Sequence, residues 1–197
     1  MKILLIIAHP NPDSFNHAIA KTAYTALINN GHTVWYHDLY HEKFDPILPA
    51  CEISRDAAID DTISAYCMEL TSADGIIIVH PNWWGQPPAI LKGWIDRIIR
   101  PGKAYRFVEG DSGEGIPVGL LNAKSAIVFN TSNTLKERED NVFGDPLKSL
   151  WKDCIFGLCG ITDFYRQIFR VIVTSDQNIR SGWLSEVTDL VNKVFPK

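Results

Sequence analysis

The segment GIIIVHPNWWGQPPAILKGW (residues 75–94) joins three different kinds of sequence. Residues 75–80 are almost entirely apolar, which is typical of a strand that is covered on both faces. Residues 88–99 carry apolar side chains at helical spacing and begin with a proline, whose missing N–H costs nothing in the first turn of a helix. Two adjacent tryptophans, a glycine and further prolines lie between them. A buried strand followed directly by a helix indicates an α/β fold.

The same alternation continues along the chain in both directions. Further strands are predicted at residues 2–8, 33–37 and 125–130 and within 165–174. Helices are predicted at residues 14–29, 52–72, 145–159 and 177–195, the first with Asp13 or Ser14 as its N-cap. Five strands that alternate with helices predict a parallel sheet with right-handed crossovers. The expected fold is therefore α/β: a flavodoxin-like three-layer αβα sandwich with strand order 2-1-3-4-5.

The composition excludes several functional classes. The 197 residues are 46% hydrophobic and carry a formal net charge of −4, whereas nucleic-acid-binding domains usually carry a basic excess. No apolar run is long enough to cross a bilayer, and no signal-peptide cleavage pattern follows the apolar start. The four cysteines show no CxxC spacing, which favours a reducing compartment. The histidines show no metal-ligand spacing. We expect one cytoplasmic domain spanning residues 1–197, with no metal site, no nucleic-acid partner and no membrane insertion.

The loops that follow the first, third and fourth strands (residues 9–14, 81–87 and 131–143) are the predicted ligand site. In such sheets, ligands bind beyond the carboxyl ends of the strands, beside the switch between strands 1 and 3. In the second of these loops, prolines on both sides hold Trp83, Trp84 and Gly85 in place. Rigid aromatic rings beside exposed backbone N–H groups suit a flat heteroaromatic ligand. The alternative is that one tryptophan packs under a neighbouring loop or into a subunit interface.

The other two loops are polar. HPNPDSFN (9–16) contains no glycine-rich motif for a dinucleotide, but it places a helix N-terminus just after a strand. It is either a cradle for a phosphate or a plain helix cap. NTSNT (130–134) is either a segment whose backbone N–H groups approach the edge of a ring or an ordinary polar turn. The charged run LKERED (135–140) is predicted to be a solvated segment.

Together these segments resemble the NAD(P)H:quinone oxidoreductase family, the DT-diaphorase-like flavoenzymes. The resembling segments are spread over most of the chain: AHP…SFN (8–16), DLY…F-P-I (38–47), PNWWGQPPAILKGWIDR (81–97), GKAYRF (102–107) and FNTSN (129–133). GDPL (144–147) and FGLCG (156–160) resemble the short bacterial branch of the family, which lacks the C-terminal extension of the larger members.

The resemblance implies a bound flavin, FAD or FMN, at the strand ends, with NAD(P)H as co-substrate. The residues that match those holding the flavin phosphate are His9, Ser14, Phe15 and Asn16. The loop that lines the isoalloxazine is matched by Pro81, Asn82, Trp83, Trp84 and Gly85, and the loop at its pyrimidine rim by Thr131, Ser132 and Asn133. In the family, the second subunit of a homodimer completes the pocket.

The resemblance also implies which residues lie on the side of the flavin ring where the substrate binds. Here this sequence differs from the larger members of the family. Tyr105 matches one of two tyrosines that close over the substrate, and Phe107 stands in place of the second. Phe143 stands where the larger members have a histidine proposed to take part in proton transfer. Residues 132–133 replace two glycines.

The implied activity is that of an NAD(P)H dehydrogenase (quinone)-type oxidoreductase. Hydride would pass in a ping-pong cycle from NAD(P)H, via flavin N5, to a quinone or a similar flat electrophile. Two alternatives are a flavin-binding regulatory or ancillary subunit of a membrane transport system, with little turnover of its own, and a one-electron carrier of the flavodoxin type.

Overall fold

The structure is a computed structural model that describes residues 1–108, 115 and 117–197. Its strands are β1 (Lys2–Ile7), β2 (Thr33–Asp38), β3 (Gly75–Pro81), β4 (Tyr105–Arg106), β5 (Val118–Gly119), β6 (Ser125–Ser132) and β7 (Asp163–Arg170). Its α-helices are α1 (Phe15–Asn29), α2 (Asp61–Ser72), α3 (Ala89–Ile98), α4 (Lys136–Arg138), α5 (Pro146–Ser149) and α6 (Gln177–Val194). Wider π-helical turns, Glu139–Phe143 and Leu150–Gly157, continue α4 and α5, and short 3₁₀ turns lie at Ala50–Glu52 and Ile172–Thr174.

Five parallel strands form the main sheet in the order β2-β1-β3-β6-β7. Counted along the sheet strands alone, this is the predicted order 2-1-3-4-5. The two central strands end level with each other, because Pro81 is paired with Thr131. β6 runs two residues beyond its predicted end, so Thr131 and Ser132 belong to the strand and not to the loop that follows.

Helices cover both faces of the sheet, as predicted. Alternate side chains of each central strand point to opposite faces, so Leu4 and Ile6 enter one core and Leu5 enters the other. The first core is closed by α2, α3 and residues 146–157, and the second by α1 and α6. No helix in the described ranges is both long and apolar enough to cross a membrane.

The helix predicted at residues 52–72 begins only at Asp61, so the prediction is wrong for its first half. Asp60 caps α2 by accepting a hydrogen bond from the Ile63 N–H at 2.9 Å. The preceding chain is held by Arg97 of α3, whose Nη2 lies 2.6 Å from Glu52 Oε1 and whose Nη1 donates to the carbonyl of Asp45 at 2.9 Å. The contacts of Arg97 hold the segment that precedes α2 in place of helical hydrogen bonds.

Two further elements differ in detail from the prediction. The helix expected at residues 145–159 is a single α-helical turn that widens into a π-helical stretch. The hairpin formed by β4 and β5, which pairs Tyr105 with Gly119, was not predicted, because each strand has only two residues. This hairpin determines where Tyr105 lies.

Candidate active site

A cleft of about 380 Å³ opens at the carboxyl ends of β1, β3 and β6, at the switch point of the sheet. We call it the main cleft; every predicted cofactor residue lines it except Trp84 and Gly85. A second space of about 470 Å³, the side cavity, is lined by Asn82, Trp84, Gly85, Thr134, Glu139, Phe143 and Pro146. Asn82 and Thr134 line both spaces, so the two are adjacent.

The first turn of α1 forms one end of the main cleft. Ser14 is the N-cap of α1, one of the two residues predicted for this position. Its hydroxyl oxygen accepts a hydrogen bond from the His17 N–H. Asn16 is 3% exposed and donates from Nδ2 to Thr131 Oγ1 at 2.9 Å, which joins this loop to the end of β6. The first N–H groups of a helix have no intrahelical acceptors and carry the positive end of its dipole. This end of the cleft is therefore suited to an anion.

His9 lines the main cleft between α1 and the tryptophan loop. Its ring centroid lies 6.0 Å from the ring of Trp83 and 6.4 Å from that of His17. Burial lowers the pKa of His9, a backbone hydrogen bond to Asn11 opposes this, and His17 lowers the pKa further. Because the pKa lies below its ordinary value of 6.5, His9 is neutral at pH 7 and contributes polarity to the cleft without a net charge.

The tryptophan loop is a two-residue turn. Trp83 and Gln86 exchange both of their backbone hydrogen bonds at 3.0 Å, and Trp84 and Gly85 have φ values of 57° and 72°. Two positive φ values between paired residues are those of a type I′ turn, a conformation that is unfavourable for tryptophan. Asn82 Oδ1 accepts from the Gly85 N–H at 2.9 Å and so supports the turn from within.

The turn separates the two tryptophans. Trp83 is 41% exposed and lines the main cleft, whereas Trp84 is 101% exposed and lines the side cavity. Neither side chain packs into either core, and the alternative that one tryptophan packs under a neighbouring loop or into a subunit interface stays a prediction. Large apolar side chains that remain exposed beside a cavity are typical of a surface that binds a ligand or a partner.

The remaining predicted residues are divided between the side cavity and the hairpin. Phe143 lines the side cavity and is 47% exposed, with the Arg138 guanidinium 5.2 Å from its ring centroid. Tyr105 lies on the hairpin with its ring 5.9 Å from that of Phe107, and burial raises its pKa. The described lining of the main cleft and of the side cavity does not include Tyr105. The structure thus brings together the predicted cofactor residues but does not place Tyr105 beside Phe143.

Several known proteins are similar to this chain in sequence and fold. A model of the flavodoxin-like fold family matches residues 1–182. The chain is 35% identical over 189 residues to an uncharacterized NAD(P)H oxidoreductase of Haemophilus influenzae, covering 93% of this chain and 91% of that one. It is 33% identical over 171 residues to the ribosyldihydronicotinamide dehydrogenase [quinone] of Mus musculus, covering 76% and 72%. The chain belongs to the NAD(P)H:quinone oxidoreductase family.

A solved structure has the same fold over nearly the whole chain. Smu.1420 from Streptococcus mutans superimposes with a TM-score of 0.85 at 35% identity, over 98% of this chain and 100% of that one. As a member of the NAD(P)H:quinone oxidoreductase family, the protein is an oxidoreductase enzyme.

Sequence analysis missed Arg180 in the wall of this oxidoreductase's main cleft. The guanidinium carbon of Arg180 lies 5.7 Å from the Phe15 ring centroid, and its nitrogens donate to Ser175 Oγ at 2.8 Å and to the Ile172 carbonyl at 3.1 Å. These contacts fix a positive charge near the N-terminus of α1. The signal was available, because the segment after the last sheet strand begins at the same edge of the sheet as the three predicted loops, and Arg180 lies in the first turn of the helix that follows.

A buried polar network lies beneath the cleft. His80 is fully buried; its Nδ1 donates to the Pro81 carbonyl and its Nε2 accepts from Trp151 Nε1 at 2.9 Å. Burial lowers the pKa of His80 to about 3, so the ring is neutral. Asn130 contacts the same Nε2 at 2.8 Å and accepts from Arg166 Nε at 2.7 Å.

The network continues into the wall of the side cavity. Arg166 Nη1 lies 2.7 Å from both carboxylate oxygens of Asp145, which adjoins Pro146 of that wall. A single guanidinium nitrogen that contacts both oxygens of one carboxylate holds Asp145 close to Arg166 through a charge-assisted hydrogen bond. The network thus connects the floor of the cleft to the wall of the side cavity and fixes their relative position.

Proposed function

We propose that the protein is a flavin-dependent NAD(P)H oxidoreductase that reduces a quinone or a similar flat electrophile. The observation that carries the proposal is the main cleft at the switch point of the sheet. The cleft is lined by the N-terminus of a helix, by the polar end of β6 and by a partly exposed tryptophan. Its volume falls in the range of about 300–1,000 Å³ that is usual for ligand sites.

The lining of the main cleft fits a flavin nucleotide, FAD or FMN. The phosphate would lie at the first turn of α1, where Ser14 and Asn16 are held by the hydrogen bonds described above. Arg180 adds a fixed positive charge at this end, and phosphate oxygens prefer such guanidinium donors. An anion at a helix N-terminus next to an arginine needs no other counter-charge.

The ring system would lie along the tryptophan loop. Trp83 would contact the plane of the isoalloxazine, while Pro81, Asn82 and Gly85 set the shape of the loop. At the pyrimidine rim, Ser132 Oγ accepts from the Thr134 N–H at 3.1 Å and Asn133 Oδ1 accepts from the Val173 N–H at 3.0 Å. These side chains fix the backbone that would donate to the ring. Oriented donors at this rim stabilise negative charge.

A bound flavin supplies hydride chemistry, accepting a hydride from NAD(P)H and passing it to the second substrate. The protein would position the two substrates in turn on the same face of the ring. The side cavity offers Trp84 and Phe143 as flat apolar walls for the acceptor. Because Phe143 has no titratable group, it would exclude water and orient the acceptor, and protons would come from solvent.

Tyr105 would orient the acceptor from a second subunit. In this chain, Tyr105 lies on the hairpin and outside the described lining of both spaces. We therefore propose a homodimer in which the hairpin of one subunit completes the site of its partner. We also propose that the protein is cytoplasmic, as the cysteine pattern indicates. Sedimentation of the purified protein tests the homodimer, and a monomer at micromolar concentration would contradict it.

The first experiment is to purify the protein, release its chromophore by heat and compare it with FAD and FMN by chromatography. A colourless protein that neither flavin reconstitutes would contradict the proposal. With flavin bound, initial rates are measured with NADH or NADPH against a naphthoquinone. Parallel double-reciprocal lines are expected if both substrates use one place in turn, whereas intersecting lines would show that they bind together.

A further inference from the structure

Glu139 is buried within an exposed, charged segment. Residues 135–138 and 140 are exposed, but Glu139 is 1% exposed. The prediction that residues 135–140 are solvated is therefore wrong at this position, because the segment packs its 139 side chain against the tryptophan loop. Burying a carboxyl group is costly unless hydrogen bonds compensate. Glu139 Oε1 accepts from Asn82 Nδ2 at 3.0 Å, and Glu139 lines the side cavity.

Asn82 makes three hydrogen bonds, one through its backbone and two through its side chain. Its backbone N–H donates to the Thr131 carbonyl at 2.7 Å, its Oδ1 accepts from the Gly85 N–H at 2.9 Å, and its Nδ2 donates to Glu139. An amide rotated by half a turn would place its NH₂ group against the Gly85 N–H, where two donors meet. Because a carboxylate only accepts, Glu139 selects the amide orientation that leaves Oδ1 facing Gly85.

This orientation matters because the turn is strained. Trp84 has a φ of 57°, a left-handed conformation that is unfavourable for a non-glycine residue. The hydrogen bonds between Trp83 and Gln86 and the one from Gly85 to Asn82 offset this cost. Removing the group that orients Asn82 would weaken the contact that is specific to Gly85.

We propose that Glu139 is a positioning residue for the cofactor: through Asn82, it holds the Trp83–Gly85 turn in the shape that receives the flavin ring. The inference rests on the proposed function, since it concerns how the same cleft binds its flavin. It assigns a role to a side chain that lies outside the main cleft and acts on that cleft through one amide.

The first part of the test is a reciprocal swap of nearly isosteric groups. Asn82→Asp places two carboxylates face to face and is expected to weaken flavin binding by about tenfold or more. Glu139→Gln keeps an acceptor for Asn82 and is expected to bind flavin within about threefold of the wild type. The double variant Asn82→Asp/Glu139→Gln restores an amide–carboxylate pair in reverse and is expected to recover most of the loss.

A truncation cycle is the second part. Glu139→Ala and Asn82→Ala are each expected to weaken binding, and the double variant is expected to be no worse than Asn82→Ala, because both changes break one chain of contacts. Glu137→Gln, an equivalent change at an exposed position of α4, is the control and should leave binding unchanged. Affinity is measured by quenching of flavin fluorescence, and the turn itself by the visible circular dichroism of the bound flavin.

The outcomes separate the two proposals. If the wild type binds neither FAD nor FMN, the proposed function fails, and near-ultraviolet circular dichroism of the tryptophans then shows whether the turn depends on Glu139. If the wild type binds flavin and Glu139→Ala binds equally well with an unchanged flavin spectrum, the positioning role is overturned. It is also overturned if the reciprocal swap binds no better than Asn82→Asp, or if the truncations are additive.

Discussion

Asn16 and Thr131 are 115 residues apart in the sequence, yet Asn16 Nδ2 donates to Thr131 Oγ1 at 2.9 Å in the floor of the main cleft. Both side chains are buried, at 3% and 5% exposure. The bond joins the first turn of α1 directly to the end of β6, so these two segments of the proposed flavin site are fixed relative to each other.

Breaking this bond should affect both stability and cofactor binding. Thr131→Val leaves a buried amide without its partner, which is expected to cost about 1–3 kcal/mol in the free energy of unfolding. Urea unfolding of the flavin-free protein measures this cost, and fluorescence quenching measures flavin affinity, which should also fall. Ser185→Ala, at an exposed position of α6, is the control. An unchanged unfolding midpoint and affinity for Thr131→Val would contradict the prediction.

The two tryptophans should have different roles. Trp83→Ala is expected to weaken flavin binding by about tenfold or more, because the ring lines the main cleft. Trp84→Ala should leave flavin affinity within about threefold of the wild type and raise the KM for the quinone, because its ring lines the side cavity. Flavin titration and steady-state kinetics of each variant separate the two effects. A larger loss of flavin affinity in Trp84→Ala than in Trp83→Ala would reverse the assignment.

Gly85 is required both by its backbone conformation and by its neighbour. Its φ is 72°, and a Cβ built on it would lie 2.7 Å from Pro146 Cγ. Gly144 has the same φ with nothing within 4 Å of such a Cβ, so it is a matched control. Gly144→Ala is expected to cost about 1 kcal/mol in the free energy of unfolding, and Gly85→Ala about 1–3 kcal/mol more. Equal losses in thermal unfolding would show that the contact with Pro146 is unimportant.

Two ion pairs that involve α3 should contribute differently to the free energy of unfolding, although the N···O distance is 2.6 Å in both. Arg97–Glu52 is buried, whereas Lys92–Asp96 is largely exposed. Glu52→Gln removes one partner of the buried pair and is expected to cost about 3–5 kcal/mol in the free energy of unfolding. Asp96→Asn is expected to cost only about 0.3–0.5 kcal/mol. Urea unfolding at pH 7 measures both, and comparable costs would contradict the role of burial.

Stability should depend on pH through His37. Burial by itself would lower the pKa of His37, but hydrogen bonds to Glu42 and Glu69 outweigh it, and the pKa lies above its ordinary value of 6.5. Burial would raise the pKa of Glu42, but hydrogen bonds to His37 and Tyr66 outweigh it, and that pKa lies below 4.5. The His37 contribution is therefore complete below pH 6.5 and is lost as the pH rises through the raised pKa. The Glu42 contribution is complete above pH 4.5 and is lost as the pH falls through the lowered pKa.

The measurement compares His37→Gln with the wild type by urea unfolding from about pH 4 to about pH 9. The difference in free energy of unfolding should be largest between pH 4.5 and pH 6.5 and should shrink on either side. His41→Gln, at an exposed position, is the control and should track the wild type. A difference that grew above pH 7 would mean that the histidine is bound in its neutral form.

The sheet and the position of the site could be predicted from the sequence, because both depend on local patterns. A strand covered on both faces must be apolar throughout, as residues 75–80 are, and the alternation of such runs with helices determines the strand order. The carboxyl ends of the strands then mark the ligand edge, which predicts that Trp83 and Asn16 lie in one site, and both line the main cleft.

The remaining features depend on contacts between distant segments and could not be predicted. Glu139 sits in a run of charges that looks solvated, and its burial follows only from where α4 packs against the tryptophan loop. The late start of α2 follows from Arg97, which binds Glu52 from another helix. Arg180 is the exception, because it lies in the first turn of α6, close to the end of the last sheet strand, and the strand-end rule applied to that strand would have included it.

The pairing of Pro81 with Thr131 has a consequence for how this enzyme can change. Residues in the floor of the cleft lie on β3 and β6, whose backbones pair continuously in a ladder, so a substitution there also affects the stability of the sheet. The walls are separate segments, residues 82–86 and 136–146, joined to each other through single side chains. Directed evolution toward new electron acceptors should therefore accumulate changes at wall positions such as Trp84 and Phe143 and leave the ladder intact. A library that spares residues 130–132 and diversifies the walls would retain more folded members than one that treats the whole cleft alike.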